Sequence, residues 1–173
     1  MSQQLTPSAM IILYKGFVRP VIEYSCTVWS FGSNKKPMTT LDQLQARFAR
    51  ALLKKKKIAF DYTSSKSVLN SKCSLESLAY RRQIISLTTF HRYVFHHRDY
   101  LADFHFKITN SERRPNKIIL PKFKSLSKSL FMFRTAILWN CLPPSLTSEA
   151  SLYKFKAALR KFTADYAYAI NGI

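Results

Sequence analysis

The chain has 173 residues, 47% of them hydrophobic and 21% charged, proportions that exclude a collagen-like, low-complexity or wholly disordered protein. Lys and Arg number 28 against 9 Asp and Glu, a formal charge of +19, and so one-sided a balance points to a polyanionic partner, nucleic acid before an anionic membrane. With Gly16, Gly32 and Gly172 as its only glycines, the chain cannot assemble a GxGxxG fingerprint or a Walker-type phosphate loop.

In chain order, Thr6 and Pro7 read as an N-cap and first helical position, and Met10, Leu13, Phe17, Val21, Ile22 and Tyr24 recur at spacings of three and four. This predicts a helix over 7–29, kinked at Pro20. The apolar run Ala9–Leu13 has no basic residues before it and is cut short by Tyr14-Lys15. It falls below the roughly 18–20 residues of a membrane span, so a soluble, unsecreted chain is expected, in nucleus or cytoplasm. Cys26, Cys73 and Cys141 are too far apart for a zinc knuckle or a dense disulfide framework, which favours a reducing compartment.

After the turn-rich segment 31–37, Thr40 is expected to cap a second helix. Leu41, Leu44, Phe48 and Ala51 or Leu52 would line its inner side, with Arg47, Arg50 and Lys54 on the outer one. The like-charged run Lys54–Lys57 suits a solvated helix end or loop. Ser74 before Leu75-Glu76 reads as a third start, and Tyr80, Ile84, Leu87, Phe90 and Val94 carry that helix to about His97. From Ser111 to Lys128 the periodicity weakens, and Ile118-Ile119-Leu120 before Pro121 allow at most a short extended pair near 117–124. Leu126, Leu130, Phe133 and Ile137 restore helical spacing up to Asn140–Pro144. A last helix opens near Ser151 with Leu152, Phe155, Leu159 and Phe162 inward and Lys154, Lys156, Arg160 and Lys161 outward. The expectation is a mainly α chain of five or so amphipathic helices: a helical region over 1–105, a basic linker or extended segment over 106–128, and a helical pair over 129–173 packing on the first region. Trp29, Phe48, Phe133, Trp139 and Phe155 are expected in the core.

The acids stand singly, and Asp99 and Asp103 are the only pair at i, i+4 spacing, whereas two-metal phosphoryl transfer needs several converging carboxylates. His91, His96, His97 and His105 cluster in sequence without an HExxH pattern, and no GxSxG elbow frames a serine. No catalytic, metal or cofactor residue is therefore assigned. From Arg113 through Ser148 the chain carries seven basic residues, Arg113, Arg114, Lys117, Lys122, Lys124, Lys128 and Arg134, and no acid. Phe123, Phe131, Phe133 and Trp139 are interleaved with them, as phosphate contact combined with base stacking would require, although a solvated basic face over an aromatic core has the same composition.

Five blocks of residues, in order, resemble the region following the palm of non-LTR, LINE-type (jockey-like) retrotransposon reverse transcriptases. Leu13-Tyr14-Lys15-Gly16-Phe17-Val18-Arg19-Pro20-Val21-Ile22-Glu23-Tyr24 with Trp29 is similar to a segment of the form LYKxxVRPxLEYxxxxW. Leu41–Arg50 resembles an LxxxQxRFxR helix and Ser74–Arg82 an LxSLxxRR helix. Ser129–Pro143 is similar to SFxxRxxxxWNxLP, and Ser151–Leu159 to a closing SxxxFKxxL. The resemblance implies a thumb-like region within 1–105 and a post-thumb pair after it, helices that grip a template and primer duplex behind a polymerase palm. The family's catalytic carboxylates lie in an ADD turn upstream, and this chain has no Asp-Asp.

The expected function is that of a C-terminal part of an RNA-directed DNA polymerase, not an enzyme on its own. It would bind an RNA or RNA/DNA duplex through the backbone, with no small-molecule substrate, cofactor or membrane. Arg47, Arg50, Lys54, Arg81, Arg82, Lys122, Lys124 and Arg134 are the candidate phosphate contacts. Tyr14, Arg19 and Glu23 are candidates for holding the first helix against the missing palm. An inactive transposon remnant, a stand-alone host RNA-binding protein and a membrane-surface helix protein are the alternatives; the remnant would expose apolar faces and aggregate.

Overall fold

In a computed structural model that describes residues 5–30, 35–122 and 130–165, the N-terminal helical pattern breaks around Pro20. Helix α1 (Pro7–Leu13) is capped by Thr6, whose Oγ1 accepts the Ala9 N–H at 3.2 Å. It widens into a π-helical turn, Tyr14–Val18, closed by the Arg19 N–H on the Tyr14 carbonyl. The wider turn accommodates Pro20, which has no N–H for the Gly16 carbonyl. Helices α2 (Arg19–Glu23) and α3 (Cys26–Trp29) follow, parted by Ser25 at φ 47°. The single kinked helix expected over 7–29 is thus interrupted twice.

Helix α4 (Lys35–Lys55) begins before Thr40, whose hydroxyl donates back to the Lys36 carbonyl at 3.1 Å instead of capping. Its inner face is Gln45, Ala46, Ala49, Leu52 and Leu53, whereas Leu44 is 43% exposed. The buried stripe is therefore turned by about one residue, roughly 100°, from the expected Leu41, Leu44, Phe48 and Ala51 or Leu52. Two small alanines let neighbouring elements approach closely, and the buried Gln45 finds partners for its amide, so the chain buries this face despite its lower hydrophobicity. Helix α4 closes with Lys57 at φ 55°, the Lys57 N–H on Lys54 O at 3.1 Å and the Ile58 N–H on Leu53 O at 3.0 Å, a Schellman cap.

Helix α5 (Lys66–Lys72), which the sequence pattern did not announce, is capped by Ser65 and brings Leu69 and Cys73 onto Ala46, Ala49, Leu52 and Leu53. Tyr14 stacks on Phe48 with ring centroids 4.1 Å apart and joins the same core. Ser74 does not start the next helix. At φ 52°, with the Leu75 N–H on Asn70 O at 2.9 Å, it completes the C-terminal cap of α5. Ser77 caps helix α6 (Leu78–Phe95) instead, its Oγ accepting the Tyr80 N–H at 3.2 Å.

Contacts group the chain into two units, Met1–Arg82 and Gln83–Ile173, the division falling within the sequence of α6. In the second unit α6 is followed by helix α7 (Arg98–Asp103) and by strands β1 (Lys107–Ser111) and β2 (Arg114–Ile119). The strands pair antiparallel, Lys107 opposite Ile119 and Ile108 opposite Ile118, with a bulge between Thr109 and Ser111. An extended pair forms as expected, with its first strand ahead of 117. Helices α8 (Phe131–Asn140), α9 (Pro144–Thr147) and α10 (Leu152–Asp165) complete the unit, α8 and α10 close to the expected positions; Leu126 lies outside the described residues.

This unit is centred on Trp139, fully buried, with its ring 5.7 Å from that of Phe90 and 5.5 Å from that of Phe155. Its Nε1 donates to the Asn116 carbonyl at 3.0 Å. Asn140 accepts the Ile118 N–H at 2.9 Å and donates to the Ile118 carbonyl at 2.8 Å, so one side chain serves strand β2 as a neighbouring strand would. Phe133 and Phe155 are buried as expected, while Phe48 and Trp29 are only partly so, the latter donating from Nε1 to the Tyr24 carbonyl at 2.6 Å.

Candidate nucleic-acid interface

Arg47, Arg50 and Lys54 follow one another at steps of three and four, which places them along one side of α4, opposite buried Ala46, Ala49, Leu52 and Leu53. Arg47 and Lys54 are exposed; Arg50 is half-buried, and its Nε has no hydrogen-bond partner among the described residues. Lys36 lies on the same side about three turns before Arg47, and Lys56 and Lys57 carry exposed charge past the helix end. None of these six cations pairs with a carboxylate among the described residues. Neighbouring like charges repel one another, and only the negative end of the α4 dipole offsets this for the last of them. Lys56 and Lys57 were not among the expected contacts. Their signal was the Lys54–Lys57 run, which forms a solvated helix end beyond the stripe.

Arg81 and Arg82 stand differently. The Arg81 guanidinium grips Glu23 with two nitrogens, Nε and Nη2, the latter at 2.9 Å, and reaches Glu76 with Nη1. The side chains of Arg81 and Glu23 are 16% and 11% exposed. The hydrogen bond with Glu23 above all raises the Arg81 pKa, against the opposing effect of burial. Arg82 is 8% exposed, with Nη2 3.8 Å from an Asp42 oxygen. Both arginines that the sequence offers to phosphate are thus turned toward carboxylates of their own unit.

The tyrosine of the first block is also occupied within the unit. The Tyr14 hydroxyl donates to Gln45 Oε1 at 2.7 Å, and Gln45 Nε2 donates to the Glu76 carbonyl at 2.9 Å. Burial pushes the Tyr14 phenol up to about 12, with Arg19 pulling the other way. Tyr14 and Glu23, expected to face a palm, instead fasten the first helices to α4 and α6.

Of the remaining candidates, Lys122 is exposed beyond β2, Arg134 is half-buried on α8, and Lys124 lies outside the described residues. His91 is buried, its Nε2 2.8 Å from the Glu149 carbonyl and its ring 4.6 Å from Phe95 and 4.5 Å from Phe155; His96, His97 and His105 are exposed. Among the described residues no group of three or more His, Cys, Asp or Glu side chains could hold a metal ion, and no helix is long and apolar enough to cross a membrane. Set against protein-family models, curated proteins and solved structures, the chain matches none.

Proposed function

We propose that this chain grips a nucleic-acid duplex by its phosphates, as the thumb-like and post-thumb region of a non-LTR, LINE-type reverse transcriptase whose polymerising carboxylates belong to a palm these residues do not supply. The observation that carries the reading is the stripe on α4, Arg47, Arg50 and Lys54, followed at the helix end by exposed Lys56 and Lys57, with no intrachain carboxylate among the described residues to neutralise it. From Arg47 to Lys54 the helix rises about 10 Å, the length of about three nucleotide steps of one strand. A row of cations of that length meets successive phosphates without reading bases, so binding is strong at low salt and blind to sequence. Arg81 and Arg82 support this grip indirectly, by fastening α6 to the elements around α4. The exposed apolar row Ile12, Phe17, Val21, Tyr24 and Val28, each at least 65% exposed, is the surface we assign to the palm.

Two RNA/DNA duplexes of unrelated sequence provide the test. Replacing Arg47 and Lys54 by Gln should weaken both by the same factor, about tenfold or more, since each phosphate contact contributes about equally to any sequence. Unchanged affinity, or a preference for one duplex, would remove the stripe from the mechanism. Nucleotide incorporation by this chain alone on any template would contradict the assignment of catalysis to a separate palm.

A further inference from the structure

A cavity of about 660 Å³ opens in the second unit between the hairpin and helices α8 and α9, within the size range of small-ligand sites. Its charged lining is Arg113, Arg114 and Lys117, all exposed and none paired with a carboxylate among the described residues. Its apolar walls include the rings of Pro115 and Pro144. The fixed polar groups behind these walls are already engaged. Asn140 uses its oxygen and its nitrogen on Ile118, Trp139 Nε1 is given to Asn116, and the Thr147 hydroxyl is given to Pro144 at 3.3 Å. The cavity therefore offers cations and apolar rings but no neutral side-chain donor set that could read a base edge.

We propose that this cavity holds an unpaired nucleotide of a single strand, its phosphate on Arg113, Arg114 and Lys117 and its base against the rings of Pro115 and Pro144. An arginine pair presents forked donors that match phosphate oxygens two at a time. Every base has a flat apolar face, so packing it against the proline rings is tolerant of sequence. A bare anion would leave the apolar walls wet, and a duplex would keep its bases stacked on each other and out of the cavity. The inference extends nucleic-acid binding from duplex to single strand at a site separate from the α4 stripe.

Cys141 lies in the wall of the cavity and is exposed, whereas Cys26 and Cys73 are buried, so a thiol-alkylating reagent reports occupancy. Alkylation of Cys141 in the full chain is timed with a short oligothymidylate, thymidine monophosphate, inorganic phosphate and a blunt mixed-sequence duplex. At ten times its half-saturating concentration the oligothymidylate should slow the reaction about tenfold, as mass action requires. The monophosphate should do so only at higher concentration, and phosphate and duplex should leave the rate within about twofold. Equal protection by phosphate would reduce the site to an anion pocket, and equal potency of monophosphate and oligomer would make the ligand a free nucleotide. Protection by the duplex, or by nothing, would also overturn the proposal.

Arg113→Gln with Arg114→Gln should weaken oligothymidylate protection about tenfold or more, measured against the variant's own unliganded alkylation rate. The backbone bond from the Arg114 N–H to Ser111 Oγ survives this change. Duplex affinity of the same variant separates the two readings: lost protection with duplex binding retained confirms the single-strand site, and protection unaltered by the double substitution sinks it. In the unsubstituted chain, absent duplex binding with oligothymidylate protection present sinks only the α4 grip.

Discussion

Lys57 sits where the backbone favours glycine. At φ 55° it is the left-handed residue of the cap that closes α4, a conformation costing a non-glycine residue about 1–2 kcal/mol. Lys57→Gly removes that cost but loosens the unfolded chain by about 0.4–1 kcal/mol, leaving a net gain of about 0.5–1 kcal/mol. For a folding unit of this size the gain raises Tm by about 2–8 °C. The same substitution deletes one exposed cation from the end of the stripe, so the slope of log K against log salt for duplex binding should become shallower by about 0.9. Thermal unfolding by calorimetry, with anisotropy titrations of a mixed-sequence duplex at several salt concentrations, reads both effects; Lys57→Arg should change neither. An unchanged or lower Tm would refute the strain assigned to this cap. A higher Tm with an unaltered salt slope would show that Lys57 takes no part in binding, and that charge is not the reason a lysine stands there.

Glu23→Gln removes the charge from the forked pair with Arg81 and should lower the urea midpoint by an amount equivalent to about 1.5–3 kcal/mol, with m unchanged; an unchanged midpoint would remove this pair from the account of the first unit. His91 is held below its ordinary pKa, chiefly by burial, with His96 acting in the same sense and Glu149 against it. As pH falls below about 6.5 the unfolded chain therefore takes up the proton before the folded one does, and stability, level above that pH, declines by at most about 1.4 kcal/mol per unit until the folded pKa is reached. NMR should find the His91 ring titrating below the ordinary histidine range; an ordinary titration of His91 would contradict its placement among Phe95, Trp139 and Phe155.

Much of the helical order was legible because periodicity and boundary residues agree. Ser151 opens α10 and Asn140 closes α8 as their patterns suggest, and Trp139 and Phe155 are where bulky apolar residues belong. Helix α4 was legible as an element but not in its orientation. Its apolar pattern points to Leu44 and Phe48, yet the buried face includes Gln45, whose amide is satisfied by Tyr14 and Glu76, remote in sequence. The hairpin was faint because its turn, Ser111-Glu112-Arg113-Arg114, contains no Gly or Asn and one strand begins Arg114-Pro115. The left-handed residues Lys57 and Ser74 were hidden for the same reason, since both occupy capping positions without being glycine. At the site, exposed charge could be read from composition. The diversion of Arg81 and Arg82 to Glu23 and Asp42 could not, because nothing in a linear pattern brings those partners together.

Titrating a fluorescent mixed-sequence RNA/DNA duplex with this chain across a range of salt concentrations tests the central claim most directly. With four to six phosphates neutralised, log K should fall against log salt with a slope of about −3.6 to −5.4, and Arg47→Gln and Lys54→Gln together should make that slope shallower by about 1.8. A flat response, or a steep one indifferent to those two residues, would mean that the stripe on α4 does not hold the strand.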